Sequence, residues 1–287
     1  MKTYLDYTPC FVKQALEASR MTTNNKAQQK KPNYGYTASK YFAYMGVIGV
    51  IGLCTALIGT FPSPPLGTLL MIFGIPIAFV GLWIAASYVI LYNSLFKGKP
   101  QEKVWKKITE LSDLHGGEKV LDVGCGMGRA SIRFAKQLTT GKVIGIDLFG
   151  GVSGTSPEPA LRNAKIEGVA DKVEFKHGNI LNTSFKNNTF DVVNAGSVLH
   201  EIHGQGNQQK AMQEIYRILK PGGKFVTLEI LRTPKTFIMV LFFGFVWRPT
   251  EYWANLIKRT GLKKLRVAVV KGALDVGIFI AEKPQGD

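Results

Sequence analysis

The stretch "VLDVGCGMGRA", residues 120–130, is an apolar, strand-like run that breaks into three glycines spaced two apart. Glycine lets the backbone adopt positive φ and approach a ligand closely, so strand, glycine turn and helix in succession is how parallel-sheet proteins hold phosphates and nucleosides. Two known versions of that turn fail here. A P-loop ends in Gly-Lys followed by Ser or Thr, whereas Gly128 is followed by Arg129 and Ala130. The dinucleotide fingerprint needs glycines at i, i+2 and i+5, and the last position falls on Arg129 counting from Gly124, or on Ser131 counting from Gly126. What remains is Asp122-x-Gly124-x-Gly126-x-Gly128, leading into "RASIRFAKQL", whose Ala130, Ile132, Phe134, Ala135 and Leu138 recur at helical spacing.

Working outward, "KVIGIDL" (142–148) reads as a second strand that ends in Asp147, 25 positions after Asp122. "KVEFKHGNI" (172–180) reads as a third strand and its loop, "TFDVVNAGSVLHEI" (189–202) as a fourth, and "KFVTLEI" (224–230) as a fifth. The helix before the fifth strand starts at Asn207, turns Ala211, Met212, Ile215, Ile218 and Leu219 to one face, and stops at Pro221-Gly222-Gly223. Strands alternating with helices imply a parallel sheet, with ligands bound outside the carboxyl ends of its strands.

This order resembles the class I S-adenosylmethionine (SAM) dependent methyltransferases, whose motif I is matched by Asp122 to Gly128. The resemblance extends over about residues 101–284 and takes in the helix, Pro-Gly-Gly, strand passage and the closing pair in "KLRVAVVKGALDVGIFIAEKP" (264–284). It implies a Rossmann-like α/β sheet, mostly parallel with its last strand antiparallel, and SAM as cofactor. By the same resemblance Asp122 faces the methionine ammonium, Gly124, Cys125, Gly126 and Gly128 cradle the cofactor, and Asp147 with Leu148 meets the ribose. Asn179 and Ile180 would meet the adenine and Ala195 the strand end beside it. Position 179 is commonly Asp in the family, and the amide of Asn179 can still accept through its oxygen. The Gly- and Ser-rich connection after Asp147 is longer than the family's, and reads as a lid or as a long loop.

The 56 residues from Tyr41 to Phe96 contain no Asp, Glu, Lys or Arg. Tyr41–Thr60 and Leu66–Tyr92 are each long enough, at about 1.5 Å per residue, to cross a hydrocarbon layer of about 30 Å, and "FPSPP" between them is a tight turn. The sequence thus divides into a polar basic segment (1–40), a transmembrane helical hairpin (41–96) and a catalytic domain (101–284). Lys26, Lys30, Lys31 and Lys40 before the hairpin, and Lys97, Lys99, Lys103, Lys106 and Lys107 after it, place both termini and the catalytic domain in the cytoplasm by the positive-inside rule. The first apolar run begins at residue 41, which disfavours a cleavable signal peptide, and residues 21–40 read as mobile. Gly67, Gly74 and Gly81 recur every seven residues; with Gly52 and Ala56 they read as packing inside the hairpin, the alternative being a homodimer through the same glycines.

A net charge of +16 permits nucleic acid or anionic lipid as partner. The scarcity of aromatic residues interleaved with Lys or Arg in the catalytic part argues against nucleic acid. Cysteines 10, 54 and 125 are too scattered for a disulfide framework or a metal site, and no metal is expected. Methyl transfer is an in-line displacement in which positioning does most of the work, with a base needed only where the acceptor loses a proton. "VLHEIHG" places His200, Glu201 and His203 past the fourth strand, and the resemblance is closest to ubiquinone/menaquinone-type enzymes, which often carry a similar Leu-His there; His200 is the expected base. The apolar run 236–247 is too short to span and reads either as buried under the sheet or as dipping into the cytoplasmic leaflet with Trp247 at headgroup level. The expected function is methyl transfer from SAM to a hydrophobic small molecule delivered from the bilayer, the alternatives being an anchored RNA or protein methyltransferase and a non-catalytic SAM- or lipid-binding scaffold.

Overall fold

A computed structural model describes residues 31–34, 39–61, 64–96, 98–150, 156–240, 246–272 and 274–286. Two apolar helices, α1 (Ser39–Ile58) and α2 (Leu66–Phe96), precede an α/β unit. They fold back on each other through glycines. A Cβ on Gly52 would lie 2.5 Å from the Ala78 nitrogen, one on Gly74 2.5 Å from that of Ala56, and one on Gly81 2.5 Å from that of Gly49. Backbones touch where these side chains are missing, so the close approach the glycines permit is made within the chain. By length and composition Leu66–Val89 can cross a membrane, while the apolar part of α1, Ala43–Ile58, is shorter. Of the two expected spans, one therefore meets the length by that measure.

Helix α3 (Gly98–Ser112) starts the α/β unit by burying Trp105 and Ile108 on the sheet, with the Trp105 ring edge-on to Phe134 at 6.2 Å. The strands are β1 (Lys119–Val123), β2 (Lys142–Asp147), β3 (Val173–His177), β4 (Phe190–Asn194), β5 (Leu219–Ile230), β6 (Lys263–Val270) and β7 (Val276–Glu282). They form one seven-stranded sheet in the order β3-β2-β1-β4-β5-β7-β6. The first five are parallel, and β7 runs antiparallel to both β5 and β6. The reversal from β1–β2–β3 to β4–β5 opens a switch point at the carboxyl end of β1, where the glycine turn lies.

One face of the sheet is covered by α4 (Arg129–Ala135), α3 and part of α5 (Glu158–Ile166), which bury Phe134, Ile132, Leu138 and Ala164 against Val120, Val143 and Ile278. The other is covered by α6 (Gln205–Ile218) and α8 (Thr250–Arg259), which bury Met212, Ile215, Trp253 and Ile257 against Leu121, Val193 and Phe225. Helix α6 begins two residues before the expected Asn207 and ends at Ile218, because β5 takes up Leu219 through Pro-Gly-Gly; Gly222 there has φ +76°. The fourth strand is shorter than its sequence pattern, closing at Asn194 and giving way to a 3₁₀ turn at Leu199–Glu201.

Two further segments, one before the hairpin and one after β5, bear on the sequence reading. Residues 31–34 are bound to the domain, for Asn33 N–H donates to Asn163 Oδ1 at 2.9 Å and the Arg129 guanidinium lies 4.6 Å over the Tyr34 ring. Of the two readings of 236–247, burial fits Trp247, which is buried in the protein, while α7 (Pro234–Val240) opens the apolar run. Residues 241–245, and the 151–155 portion of the long connection after Asp147, fall outside the described residues.

Candidate cofactor and methyl-transfer site

The glycine turn hangs from the sheet by backbone bonds, since Gly124 N–H and Cys125 N–H both donate to the Ile146 carbonyl, at 2.8 and 3.1 Å. Gly124, Gly126 and Gly128 all have positive φ, +68°, +49° and +80°. Only glycine takes these angles without strain. Space forbids a side chain as well, because a Cβ on Gly124 would sit 2.5 Å from Val198 Cγ2, and one on Gly128 2.8 Å from Phe175 Cζ. Phe175 also closes on Gly145 of β2, whose added Cβ would meet the ring at 2.7 Å and the Cys125 Cβ at 2.9 Å. Cys125 is thus packing behind the turn, and burial pushes its thiol well above the ordinary range.

Asp147 ends β2 and ties the turn down. Its Oδ2 accepts from Gly126 N–H at 2.8 Å and its Oδ1 from Phe149 N–H at 2.8 Å, which holds Phe149 at φ +46°. A carboxylate has about four acceptor sites. Two therefore remain, one on each oxygen, which is the number a ribose diol requires. Asp122, fully buried, is bound from inside: Ser131 Oγ donates to Oδ2 at 2.5 Å and Asn194 Nδ2 to Oδ1 at 2.7 Å. Burial raises its pKa to about 6, against the pull of those two bonds and with a further push from Asp147. Asp122 sits beneath the turn. Beside it the buried Asn194 Oδ1 has no partner among the described residues.

Of the remaining expected residues, Leu148 is 58 % exposed, Ile180 is buried in the core, and exposed Asn179 uses its Oδ1 to accept from Leu181 N–H at 2.9 Å. Both backbone groups of Ala195 are bonded to β5, N–H to the Val226 carbonyl at 2.9 Å and C=O to Thr227 Oγ1 at 2.7 Å. Ser197 follows at φ +58°, held by Leu228. That strained corner delivers Val198 onto Gly124 and turns the chain into His200.

His200 Nδ1 lies 2.7 Å from Glu229 Oε2, and Glu229, fully buried on β5, also accepts from Leu199 N–H at 3.1 Å. Burial works against a charged His200, but the bond and the negative charge of Glu229 outweigh it and raise the imidazole above its usual value. Burial likewise raises Glu229. Glu201, exposed at the rim, is raised by desolvation and by the charges of Asp147 and Glu229. Asp147 thus lies within electrostatic reach of both buried Asp122 and Glu201, and Glu229 within reach of Glu201, in a chain of net charge +16. Such a concentration of acids favours a cationic ligand and disfavours a bare phosphate. Among the described residues no group of His, Cys, Asp or Glu could hold a metal ion. Sequence reasoning missed Glu229, Asn194 and Phe175. The signal for Glu229 was available, since an acid in the middle of an apolar strand is costly to bury unless it has a partner.

Residues 114–239 match a family described as a methyltransferase domain. These residues carry a methyltransferase domain. Relatives of this methyltransferase domain include a demethylmenaquinone methyltransferase of Lactiplantibacillus plantarum, 36% identical over 151 residues, or 51% of this chain and 59% of that protein. A ubiquinone/menaquinone biosynthesis C-methyltransferase of a Ruegeria species is 30% identical over 62% of this chain and 65% of its own length. The chain thus spans about six-tenths of these curated relatives. In fold the domain is similar to a SAM-dependent methyltransferase of Methanosarcina mazei, with a TM-score of 0.52 at 20% identity over 62% of this chain and 98% of that one. SAM is the domain's cofactor, and the described residues that suit it are a glycine turn at positive φ and Asp147, whose oxygens each keep an acceptor site beyond the Gly126 and Phe149 N–H bonds.

Proposed function

We propose that this protein is a membrane-anchored methyltransferase that methylates a lipid-soluble acceptor of the quinone class, taken directly from the bilayer. The observation that carries this reading is the His200–Glu229 pair, 2.7 Å apart, two residues beyond the Val198 that packs on Gly124 of the glycine turn. When bound, SAM supplies a methyl group on a positively charged sulfur. Asp147 would hold the ribose hydroxyls, the glycine turn would lie against the nucleoside, and Asp122 would act through Ser131 and Asn194 on the amino-acid end. Glu229 accepts the Nδ1–H of His200 and so leaves Nε2 bare. As an acceptor took the methyl carbon and the carbon–sulfur bonding pair stayed with sulfur, Nε2 of His200 would take the acceptor proton and later pass it to solvent. An acid-lined pocket around the sulfonium matches the transition state poorly if it only binds the cation tightly, so positioning of the acceptor has to supply much of the acceleration.

Membrane attachment is supported by the apolar surface of the hairpin. Val47, Ile51 and Leu57 on α1 and Leu69, Ile72, Phe73, Ile75 and Phe79 on α2 are all exposed. Apolar area of that extent on a soluble monomer would drive association. The lysines on both flanks support a cytoplasmic domain over 101–284, and the two relatives' names support a quinone acceptor. Incubating native membranes with methyl-labelled SAM and extracting into organic solvent tests the reading. Label in a lipid fraction that absorbs as a quinone is expected; label confined to protein or RNA, or none anywhere, would refute it.

A further inference from the structure

Beyond Ile230 the chain crosses to a second cavity that the methyl-transfer chemistry does not use. Its volume is about 360 Å³, and it is lined by Arg232, Thr233, Pro234 and Phe237. The backbone fixes this corner firmly. Leu231 N–H donates to the Asp275 carbonyl at 2.8 Å, Arg232 N–H to the Arg248 carbonyl at 3.1 Å, and Phe237 N–H to the Thr233 carbonyl at 2.8 Å. Thr236 is buried with its hydroxyl 2.8 Å from that of Thr233. The backbone is therefore fixed, and on it stand half-buried Arg232 and Thr233 with exposed Pro234 and Phe237.

The charge around it is one-sided. Among the described residues Arg232 is bonded through its backbone, and no carboxylate pairs with its guanidinium. Lys235 Nζ donates to the Gly272 carbonyl, and the Arg248 guanidinium lies 5.3 Å over the Tyr252 ring, so neither neighbouring cation is neutralised by an acid. The nearby carboxylate, Asp275, accepts from Gly272 N–H at 3.2 Å. Against this, Phe237 and Val246 are apolar and exposed. A guanidinium without an acid partner beside apolar surface, in a cavity of this size, suits a phosphate-type anion attached to an apolar body.

Position says where such a ligand comes from. Helix α7, which carries Phe237, touches the long apolar helix α2, and α3 follows Phe96 directly and is already packed on the sheet. The helix that supplies Pro234 and Phe237 to the cavity thus touches the apolar hairpin. We propose that the Arg232 cavity binds the anionic headgroup of a membrane amphiphile and seats the domain against the bilayer. This rests on the membrane reading of the hairpin above.

Full-length protein in a neutral detergent tests it, with dihexanoyl phosphatidylglycerol below its micelle concentration, dihexanoyl phosphatidylcholine and inorganic phosphate as separate probes, each titrated by calorimetry. SAM is titrated into the same preparation. Saturable binding of phosphatidylglycerol is expected, at least about tenfold weaker in Arg232→Ala and largely kept in Arg232→Lys. Inorganic phosphate or phosphatidylcholine binding as tightly as phosphatidylglycerol would overturn the assignment to an anionic amphiphile, as would equal phosphatidylglycerol affinity in native protein and Arg232→Ala. SAM binding without phosphatidylglycerol binding would sink this inference alone. Arg232-dependent phosphatidylglycerol binding without SAM binding would support it and sink the methyltransferase reading instead.

Discussion

His200 Nδ1 and Glu229 Oε2 approach to 2.7 Å although they belong to different strand ends and lie 29 residues apart in sequence. The pair is buried enough for the carboxylate to fix the ring tautomer, and close enough for its charge to favour the protonated ring against the cost of burial. It makes His200 a base with a defined empty nitrogen and a raised pKa. Removing the negative charge at position 229 removes what favours the imidazolium and leaves the burial that opposes it. In Glu229→Gln the His200 ring should therefore titrate below the native value, which lies above 6.5. Ring NMR measures this without any acceptor. A native ring that titrates at or below 6.5, or one unmoved by the substitution, would remove Glu229 from the site.

The same bond has a stability consequence of definite sign. His200 has a raised pKa when folded, so its pairing contributes stability that is fully present below the unfolded value and is lost as pH rises through the folded one. Thermal melts of the native domain should show this loss on the alkaline side of 6.5, and melts of His200→Gln should not.

Asp122 presents the opposite case. A carboxyl carried from 3.8 to about 6 by burial costs the folded state up to about 3 kcal/mol once it is fully charged. The cost is absent in strong acid and complete above about 6. In Asp122→Asn the new side-chain amide can donate to the orphaned Asn194 Oδ1, so the variant without cofactor is expected to unfold no earlier than the native protein at pH 7. Its SAM affinity should fall about tenfold or more, because the charge is there for a cation. Calorimetry and melting curves on the same samples decide it: a variant that is less stable and binds SAM normally would show that Asp122 is only structural.

Asp147→Asn replaces one oxygen with a donor, so it loses either the Gly126 or the Phe149 tether together with acceptor capacity for the ribose. A charged hydrogen bond is worth about 1.5–3 kcal/mol, so SAM affinity should drop by roughly ten- to a hundredfold. Gly124→Ala attacks the same site through space, because its methyl would meet Val198 Cγ2 at 2.5 Å at a residue with φ +68°. It should lower both SAM affinity and stability, the latter by at least about 1 kcal/mol. Unchanged affinity in both variants would overturn the cofactor site.

Asn163 links residues 31–34 to the glycine turn. Its buried amide accepts from Asn33 N–H at 2.9 Å and donates to the Asn33 carbonyl at 2.9 Å and the Met127 carbonyl at 3.0 Å. Asn163→Ala leaves three backbone groups unsatisfied and should cost about 1–3 kcal/mol. It should also make the bond between Lys30 and Lys31 several times more sensitive to trypsin. Equal cleavage rates would mean that this segment is held by other contacts.

In the hairpin, Gly52→Val places a branched side chain where a Cβ already lies 2.5 Å from a backbone nitrogen. The two helices must separate, and the protein is expected to stay in the membrane fraction with a lower melting temperature. An unchanged melting temperature would show that α1 and α2 are not packed this way.

The succession of strands and helices, the glycine turn and Asp147 at the end of the second strand were legible in the sequence because they depend on local rules. Strand and helix periodicities are written along the chain, a turn needing positive φ selects glycine, and an acid at a strand end is identified by its spacing from the turn. The apolar hairpin was legible for the same reason, since 56 consecutive residues without Asp, Glu, Lys or Arg form a statement of composition. Contacts between distant segments were not legible. Glu229 reads as one more residue of the fifth strand until β4 and β5 pair and the strained corner at Ser197 turns His200 onto it. Asp122 reads as a ligand-facing acid until Ser131 and Asn194 close over its two oxygens. Residues 31–34 read as a mobile arm until Asn163, 130 residues away from Asn33, receives them. The sequence by itself determined which backbone could be built and where a nucleoside could lie, because those follow from propensity and spacing. Only the tertiary structure decided which buried charges face one another, because desolvation and hydrogen bonding act across space, and the partners are chosen by packing, not by position in the chain.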